Sequence, residues 1–287
     1  MIETKIIVCK KIAQNILDEL RIKILTQNLH PHLAIILVGQ DPASLVYVNN
    51  KIAQAAIVGI KTELIKLPYC ITQQELIAHI DECNKNPQIS GIIVQMPLPP
   101  HISLLNVTQA IEPSKDVDGF HMLNVGMLHS FGYWANHIIP SFKSFAPCTA
   151  LACVAAMQAV EPNLAGKHVV IVNRSNLVGR PLCALLTWLN ATVTICHSFS
   201  HDLASLTKLG DIVVCAIGKA KFFDQSYFKQ GAIVLDVGIS RDDQSGKISG
   251  DINLESLLGH VSYVTTVPGG IGRLTVAYLL SNTVESF

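Results

Sequence analysis

The stretch VVIVNRSNLVGRP (169–181) reads as a buried β-strand, a polar turn, and a glycine where a helix begins. Such a passage aims backbone N–H groups and the positive end of a helix dipole at one point, a natural seat for an anion. It lacks the full GxGxxG spacing, so by itself it could equally be an ordinary strand-to-helix turn. Its neighbours decide between the two. On the C-terminal side follow helix Val178–Leu189, strand Thr192–Cys196, helix Asp202–Leu209 and strands Ile212–Ile217, Ile233–Val237 and Tyr263–Val267, with a last helix over Arg273–Val284. On the N-terminal side, Thr149 can cap a helix running to Val160.

Before a mixed stretch from Gly126 to Pro147 the same alternation occurs once already. Leu33–Gly39 reads as a strand, followed by a helix through Tyr47. Strand Glu63–Leu67 follows, then a helix to about Asn84 opened by a Thr72/Glu75 capping box. Strand Gly91–Met96 and a short helix at Leu104–Ile111 complete the series. Alternation of this kind implies an α/β protein with parallel sheets covered by helices. The spacing therefore predicts two domains meeting near residue 139.

In the second half, four turns fall at carboxyl ends of strands, where doubly wound sheets bind ligands. They contain Asn173, Arg174, Ser175, Val178 and Gly179; His197 and Ser198; Gly218; and Gly238 with Ile239. A dinucleotide whose ribose 2′-hydroxyl is free is usually held by a carboxylate about twenty residues beyond the first turn. His197-Ser198 offers none, whereas Arg174 with serine hydroxyls suits a 2′-phosphate. NADP is therefore preferred over NAD. A further loop, VPGGIGRLT (267–275), has three glycines that permit close backbone approach to a flat ligand.

In the first half, Tyr47 and Lys51 lie four residues apart on a largely uncharged helix, one above the other, in a polar stripe with Ser44 and Gln54. Asp41, Pro42 and Gly59 supply its cap, first turn and stop. A lysine beside a phenol and away from carboxylates can serve as a base or proton shuttle. It can equally be a core-helix lysine reaching for solvent.

Composition narrows the classes. Hydrophobic residues make up 49% of the 287 and charged residues 15%, which suits buried parallel strands. Lysine plus arginine equals aspartate plus glutamate at 21 each, so no global field favours nucleic acid or a membrane. No apolar run reaches spanning length, and MIETKIIVCKK has no secretory or transit character. The eight cysteines and eleven histidines fall into no metal-binding spacing, and the reading is a cytoplasmic protein with reduced thiols and no metal.

The ordered set VGQDPASLVYVNNK (38–51), GIIVQMPLP (91–99), PSKDVDGFHMLNVG (113–126), PCT (147–149), NRSNLVGRP (173–181), CHS (196–198), LDVG (235–238), GDI (250–252) and VPGGIG (267–272) resembles the bifunctional methylenetetrahydrofolate dehydrogenase/methenyltetrahydrofolate cyclohydrolase family over nearly the whole chain. The resemblance implies an N-terminal α/β catalytic domain of 1–139, to which the last helix returns as 274–287, and a Rossmann-type NADP-binding domain of 140–273, with folate in the cleft between them. It implies NADP-dependent oxidation of 5,10-methylenetetrahydrofolate and hydrolysis of the methenyl product to 10-formyltetrahydrofolate. Such chemistry serves one-carbon metabolism, including purine biosynthesis, and members are typically homodimers. It makes Lys51 the catalytic lysine, Tyr47 its partner against the pterin, Gln95 the residue bonded to the lysine, and Asp118 the carboxylate holding the pterin. Pro268, Gly269 and Gly270 become substrate contacts, and Gly272 and Thr275 join the cofactor contacts.

The N-terminal set, Asp116 included, matches the family pattern. The departures lie in the cofactor half: Asn173 for glycine, Ala150 and Ala152 for proline and glycine, and Thr266 and Arg273 for proline. They predict that cyclohydrolase chemistry is the more secure of the two activities. They also leave open a weakened dehydrogenase, or a folate- and NADP-binding protein without turnover. A short-chain dehydrogenase is set aside because its YxxxK pair follows the glycine loop, whereas here it precedes it. A shikimate- or glutamate-type dehydrogenase would lack the QMPLP and KDVDG segments.

Overall fold

The computed structural model describes residues 2–131, 144–241 and 248–287. The chain divides into two compact units, one of residues 14–147 with 276–287 and one of 1–13 with 148–275. The expected border at 139/140 lies outside the described residues. Residues 1–13 were expected with the N-terminal domain, but they group with 148–275, for a reason seen in the strand pairing below.

The first unit is built on strands β2 (His32–Val38), β3 (Lys61–Leu67) and β4 (Gly91–Val94), parallel in the order β3-β2-β4. β2 is buried along its whole length, so its run HLAIILV is apolar rather than alternating. β3 lies at the edge and carries Lys61, Glu63 and Lys66, charges that discourage pairing with another chain. Helix α1 (Cys9–Thr26) begins in the other unit's segment, and α2 (Pro42–Val58), α3 (Gln73–Lys85), α4 (Leu104–Ala110) and α5 (Met122–Phe131) follow. Side chains of α3 and α4, among them Leu76, Ile80 and Val107, pack with Ala34, Ile36 and Ile92 of the sheet into one core.

The second unit is a six-stranded parallel sheet in the order β1-β11-β8-β7-β5-β6. Its strands are β1 (Lys5–Ile6), β5 (His168–Val172), β6 (Thr192–Cys196), β7 (Ile212–Cys215), β8 (Ile233–Asp236) and β11 (Tyr263–Val264). β1 pairs in parallel with β11, which ties the first residues of the chain to this unit. The helices are α6 (Cys148–Gln158), α7 (Gly179–Trp188), α8 (Leu203–Lys208) and α9 (Leu254–Leu257), and β9 (Ser240–Arg241) pairs antiparallel with β10 (Ile248–Ser249). Helix α10 (Ile271–Ser286) starts in this unit's segment, and its later residues belong to the first unit. There Asn282 Nδ2 donates to the carbonyls of Val117 (2.8 Å) and Ala146 (3.3 Å).

The caps of α2 and α3 follow the sequence. The Asp41 carboxylate accepts from Ser44 N at 2.8 Å, Pro42 opens α2, and Gly59 closes it in the left-handed conformation. Thr72 and Glu75 form the reciprocal capping box. Three expectations are corrected. The reading placed no element before Leu33, yet β1 and α1 are there, with Cys9, Ala13, Leu17, Leu20 and Ile24 buried at three- and four-residue spacing. Thr149 lies inside α6 rather than capping it. The strands expected to reach Ile217, Val237 and Val267 stop at Cys215, Asp236 and Val264, because the residues beyond turn away into loops. Among the described residues no helix is long and apolar enough to cross a membrane.

Candidate active site

In the first unit, the polar stripe of α2 reaches a side-chain bond at Lys51. Lys51 Nζ donates to Gln95 Oε1 at 2.9 Å. Gln95 follows β4, its backbone N–H held by the Ile36 carbonyl at 2.8 Å. Its amide is oriented from the other side as well, since Nε2 donates to the Met96 carbonyl at 2.6 Å. The oxygen is thereby left to face the lysine. Tyr47 sits one turn earlier on α2, half-buried, and burial raises its phenol above the ordinary value. Ser44 is spent on the cap, its hydroxyl donating to Asp41 at 2.9 Å.

Asp118 stands in the loop between α4 and α5. Enclosure of its carboxyl group raises its pKa to about 6; the Lys51 charge opposes that rise and Asp116 adds to it. Lys51 is thus hydrogen-bonded to Gln95 and within electrostatic reach of Asp118. The loop is built to hold Asp118 still. Asp116 is buried and accepts from His121 N (2.7 Å) and Asn124 Nδ2 (2.9 Å), while Ile92 N donates to the Lys115 carbonyl at 2.8 Å. Lys115 Nζ in turn donates to the carbonyls of Cys83 (3.2 Å), Asn84 (2.7 Å) and Asn86 (2.8 Å) at the C-terminus of α3, where a cation complements the helix dipole. That locking role for Lys115 and Asn124 was not read from the sequence, although the KDVDG segment marked the place.

In the second unit, the candidate dinucleotide residues gather at the carboxyl edge of the sheet. The strand order reverses between β5 and β7, and the side chain of Asn173 spans that point, Nδ2 donating to the Ala216 carbonyl at 2.6 Å. Its Oδ1 accepts from Ser175 N (2.7 Å) and Gly179 N (3.1 Å). The departure from glycine is therefore accommodated by folding the carboxamide into the turn. Val178 precedes α7, its N–H held by Ser175 Oγ at 3.1 Å. Arg174 lies over the ring of Phe199 at 5.4 Å, beyond the end of β6 that carries His197 and Ser198. Phe199 was missed by the sequence reading, which had only an aromatic residue directly after CHS (196–198) to go on; its exposure of 75% and its contact with Arg174 emerge only in the fold.

Gly218 and Gly238 occupy the loops after β7 and β8, and Ile239 is half exposed. Pro268, Gly269 and Gly270 form the turn before α10, where Thr266 Oγ1 donates to the Pro268 carbonyl at 3.4 Å. Gly272 and Thr275 lie in the first turns of α10, with the Thr275 hydroxyl bonded back to the Ile271 carbonyl. Arg273 is exposed there, and Ala150 and Ala152 are buried within α6.

Two family models match the chain: the tetrahydrofolate dehydrogenase/cyclohydrolase catalytic domain over residues 7–118, and the NAD(P)-binding domain of the same family over residues 147–287. The chain belongs to the tetrahydrofolate dehydrogenase/cyclohydrolase family. It is similar to the bifunctional protein FolD of Rickettsia peacockii, 50% identical over 282 residues that cover 97% of this chain and 94% of that protein. It is likewise similar to FolD of Rickettsia bellii, 50% identical over 284 residues, covering 97% and 96%. Among solved structures, the bifunctional FolD of Campylobacter jejuni superposes with a TM-score of 0.91 at 40% identity, covering 99% and 98% of the two chains. FolD of Trypanosoma brucei, solved with NADP cofactor and inhibitor, does so at 0.90 and 32%, covering 100% and 98%. The enzyme is accordingly a bifunctional methylenetetrahydrofolate dehydrogenase and methenyltetrahydrofolate cyclohydrolase of two α/β domains.

Proposed function

We propose that Lys51 is the proton-relaying group of the cyclohydrolase step, with Gln95 fixing its position, Tyr47 providing an aromatic face for the pterin, and Asp118 accepting from the pterin's adjacent N–H groups. The observation that carries the reading is the 2.9 Å bond from Lys51 Nζ to Gln95 Oε1, which brings together residues 44 positions apart. Gln95 cannot take a proton, so it orients the lysine without neutralising it as a carboxylate partner would. An amine held beside the methenyl carbon can take a proton from the water that adds there and return it as the ring opens. A carboxylate offers the aminopyrimidine edge two parallel acceptors, which suits Asp118.

NADP is the dinucleotide in this reading. The donor set supports it: a guanidinium at Arg174, hydroxyls at Ser175 and Ser198, and no carboxylate closing β6. When bound, the dinucleotide supplies the hydride acceptor for the oxidation. Around it, Arg174 would hold the 2′-phosphate, and the turns at Asn173–Gly179, Gly218 and Gly238 would flank the rest. The 10-formyl product places the enzyme in one-carbon supply, purine synthesis included. Cytoplasmic location is supported by eight free cysteines, most of them buried. A homodimer is proposed from the family resemblance, to be measured by light scattering on the purified chain.

The decisive experiment replaces Lys51 by methionine, which keeps the length of the side chain. Methenyl hydrolysis should fall by about a hundredfold or more, as for loss of a positioned proton-transfer group. Folate binding, NADP⁺ binding and the circular dichroism spectrum should be retained. Unchanged hydrolysis would remove Lys51 from the mechanism.

A further inference from the structure

Two carboxylates that the chemistry above does not use are sealed in the second unit. Asp251 is fully buried and Asp236 is 3% exposed. Asp251 accepts from three consecutive backbone N–H groups: Oδ2 from Ile217 (2.5 Å) and Gly218 (3.2 Å), and Oδ1 from Lys219 (2.8 Å). Asp236, the last residue of β8, accepts in the same manner from the segment holding Asp251: Oδ1 from Asp251 N at 2.9 Å and Oδ2 from Ile252 N at 3.1 Å. The Asp236 backbone N–H donates to Thr265 Oγ1 at 2.7 Å, fastening the arrangement to the residue after β11.

The two carboxylates and two glycines interlock. A Cβ on Gly238 would lie 2.0 Å from Asp251 Oδ1, and a Cβ on Gly250 would lie 1.9 Å from Asp236 Oδ2. Neither glycine could carry a side chain while the opposite carboxylate kept its place. Burying a carboxylate is costly unless its charge is met by hydrogen bonds, and each of these is met by backbone N–H groups. What the pair fixes is the backbone of residues 217–219 after β7 and of 251–252, with Gly238 of the loop after β8 packed against the Asp251 carboxylate.

The sheet order says which part of a dinucleotide those loops face. Arg174 and Ser198 follow β5 and β6, on one side of the reversal point, and would take the adenosine end. β7 and β8 lie on the other side of it, so their loops face the other end of the ligand. We propose that Asp251, itself held by Asp236, is a positioning residue for hydride transfer: it fixes residues 217–219 beside Gly238 in the conformation that receives the nicotinamide half of the dinucleotide. This rests on the reading of Gly218 and Gly238 as cofactor-facing. Because the loop N–H groups are already bonded, the receiving surface is formed before the ligand arrives, and binding free energy is not spent on ordering it.

The test is Asp251→Asn in the full-length enzyme, which keeps the shape but turns an NH₂ group toward backbone donors. The KM for NADP⁺ should rise by about tenfold or more, with methenyl hydrolysis unchanged. The affinity for adenosine 2′,5′-bisphosphate, which carries only the adenosine end, should stay within about twofold, which also shows that the domain is folded. An unchanged KM for NADP⁺, or an equal loss for both ligands, overturns the proposal. Amide hydrogen exchange on the wild-type enzyme tests it independently of how the variant folds. Ile217, Gly218 and Lys219 should be protected without ligand, and free exchange at all three overturns the proposal. The underlying reading is tested separately by NMR. NADP⁺ should shift the Gly218 and Gly238 signals and the bisphosphate should not. If NADP⁺ shifts neither signal, the reading of those loops fails; if it shifts both and D251N binds normally, only the positioning role fails.

Discussion

Asp118 shows how one side chain can set a pH limit on the enzyme. Enclosure brings its pKa to about 6, so its carboxylate is charged at neutral pH and gains a proton as the pH falls through that value. In the role proposed for Asp118, protonation would turn one acceptor into a donor facing the pterin N–H groups. The KM for the folate substrate should therefore be flat above pH 7 and rise as the pH drops from 6.5 to 5, by about threefold to tenfold across that interval. Steady-state methenyl hydrolysis measured along a pH series checks this, and a constant KM down to pH 5 would take Asp118 out of pterin binding. The residue scale is also where the sequence was least sufficient. Tyr47 and Lys51 are visible as a helical pair, but the partner that gives the lysine a role is Gln95, 44 positions away. Spacing cannot pair them, and the family resemblance proposed what the 2.9 Å bond then put in place. Asp236 and Asp251 sat in the LDVG and GDI motifs without any role, because their function is in bonds to loops far from them along the chain.

At the scale of the element, end signals were legible at α2 and α3, where the cap is local chemistry, but not at α6, where Thr149 lies inside the helix. Asp41, Pro42 and Gly59 bound α2, and Thr72 with Glu75 opens α3, each through contacts a few residues apart. α2 supplies Tyr47 and Lys51, so its first turn matters to the site. Replacing Asp41 by alanine frees the Ser44 N–H and hydroxyl and should cost about 1 kcal/mol. Urea unfolding followed by circular dichroism would show this as a lower midpoint with an unchanged slope. Helix α1 was missed although its buried residues recur at helical spacing, because lysines, a glutamate and an arginine lie between them and lower its mean hydropathy. β1, β9 and β10 are two residues long, too short for any periodicity to register. Of the strands that were read too long, β7 and β8 continue as apolar sequence, and β11 as the β-branched run Thr265, Thr266 and Val267, past the point where the backbone leaves the sheet. At β7 it is Asp251, not composition, that takes the next N–H groups.

At the scale of the whole molecule, the alternation of strands and helices was enough to give two parallel α/β units, but it did not give their membership. β1 belongs with 148–275 because Lys5 N donates to the Ser262 carbonyl and Ile7 N to the Val264 carbonyl, both at 2.9 Å, and because Ile7 is buried. Removing residues 1–7 should lower the thermal midpoint by about 5 °C or more, since it takes away one buried isoleucine, two strand bonds and the bonds of the Thr4 hydroxyl to Leu257, Val261 and Gly259. Differential scanning calorimetry checks this, and an unchanged midpoint would mean that β1 adds nothing to that sheet.

The same pairing bears on synthesis at the ribosome. The sheet of 148–275 needs residues 5–6 to meet residues 263–264, which are made long after them. The unit of 14–147 needs the closing turns of α10, from Val276 onward. Neither unit is a contiguous piece of the nascent chain, so each must wait in an incomplete form until the residues of α10 have been made. The early-emerging segment with exposed apolar strand edges is the part of this protein that a chaperone would be called on to guard.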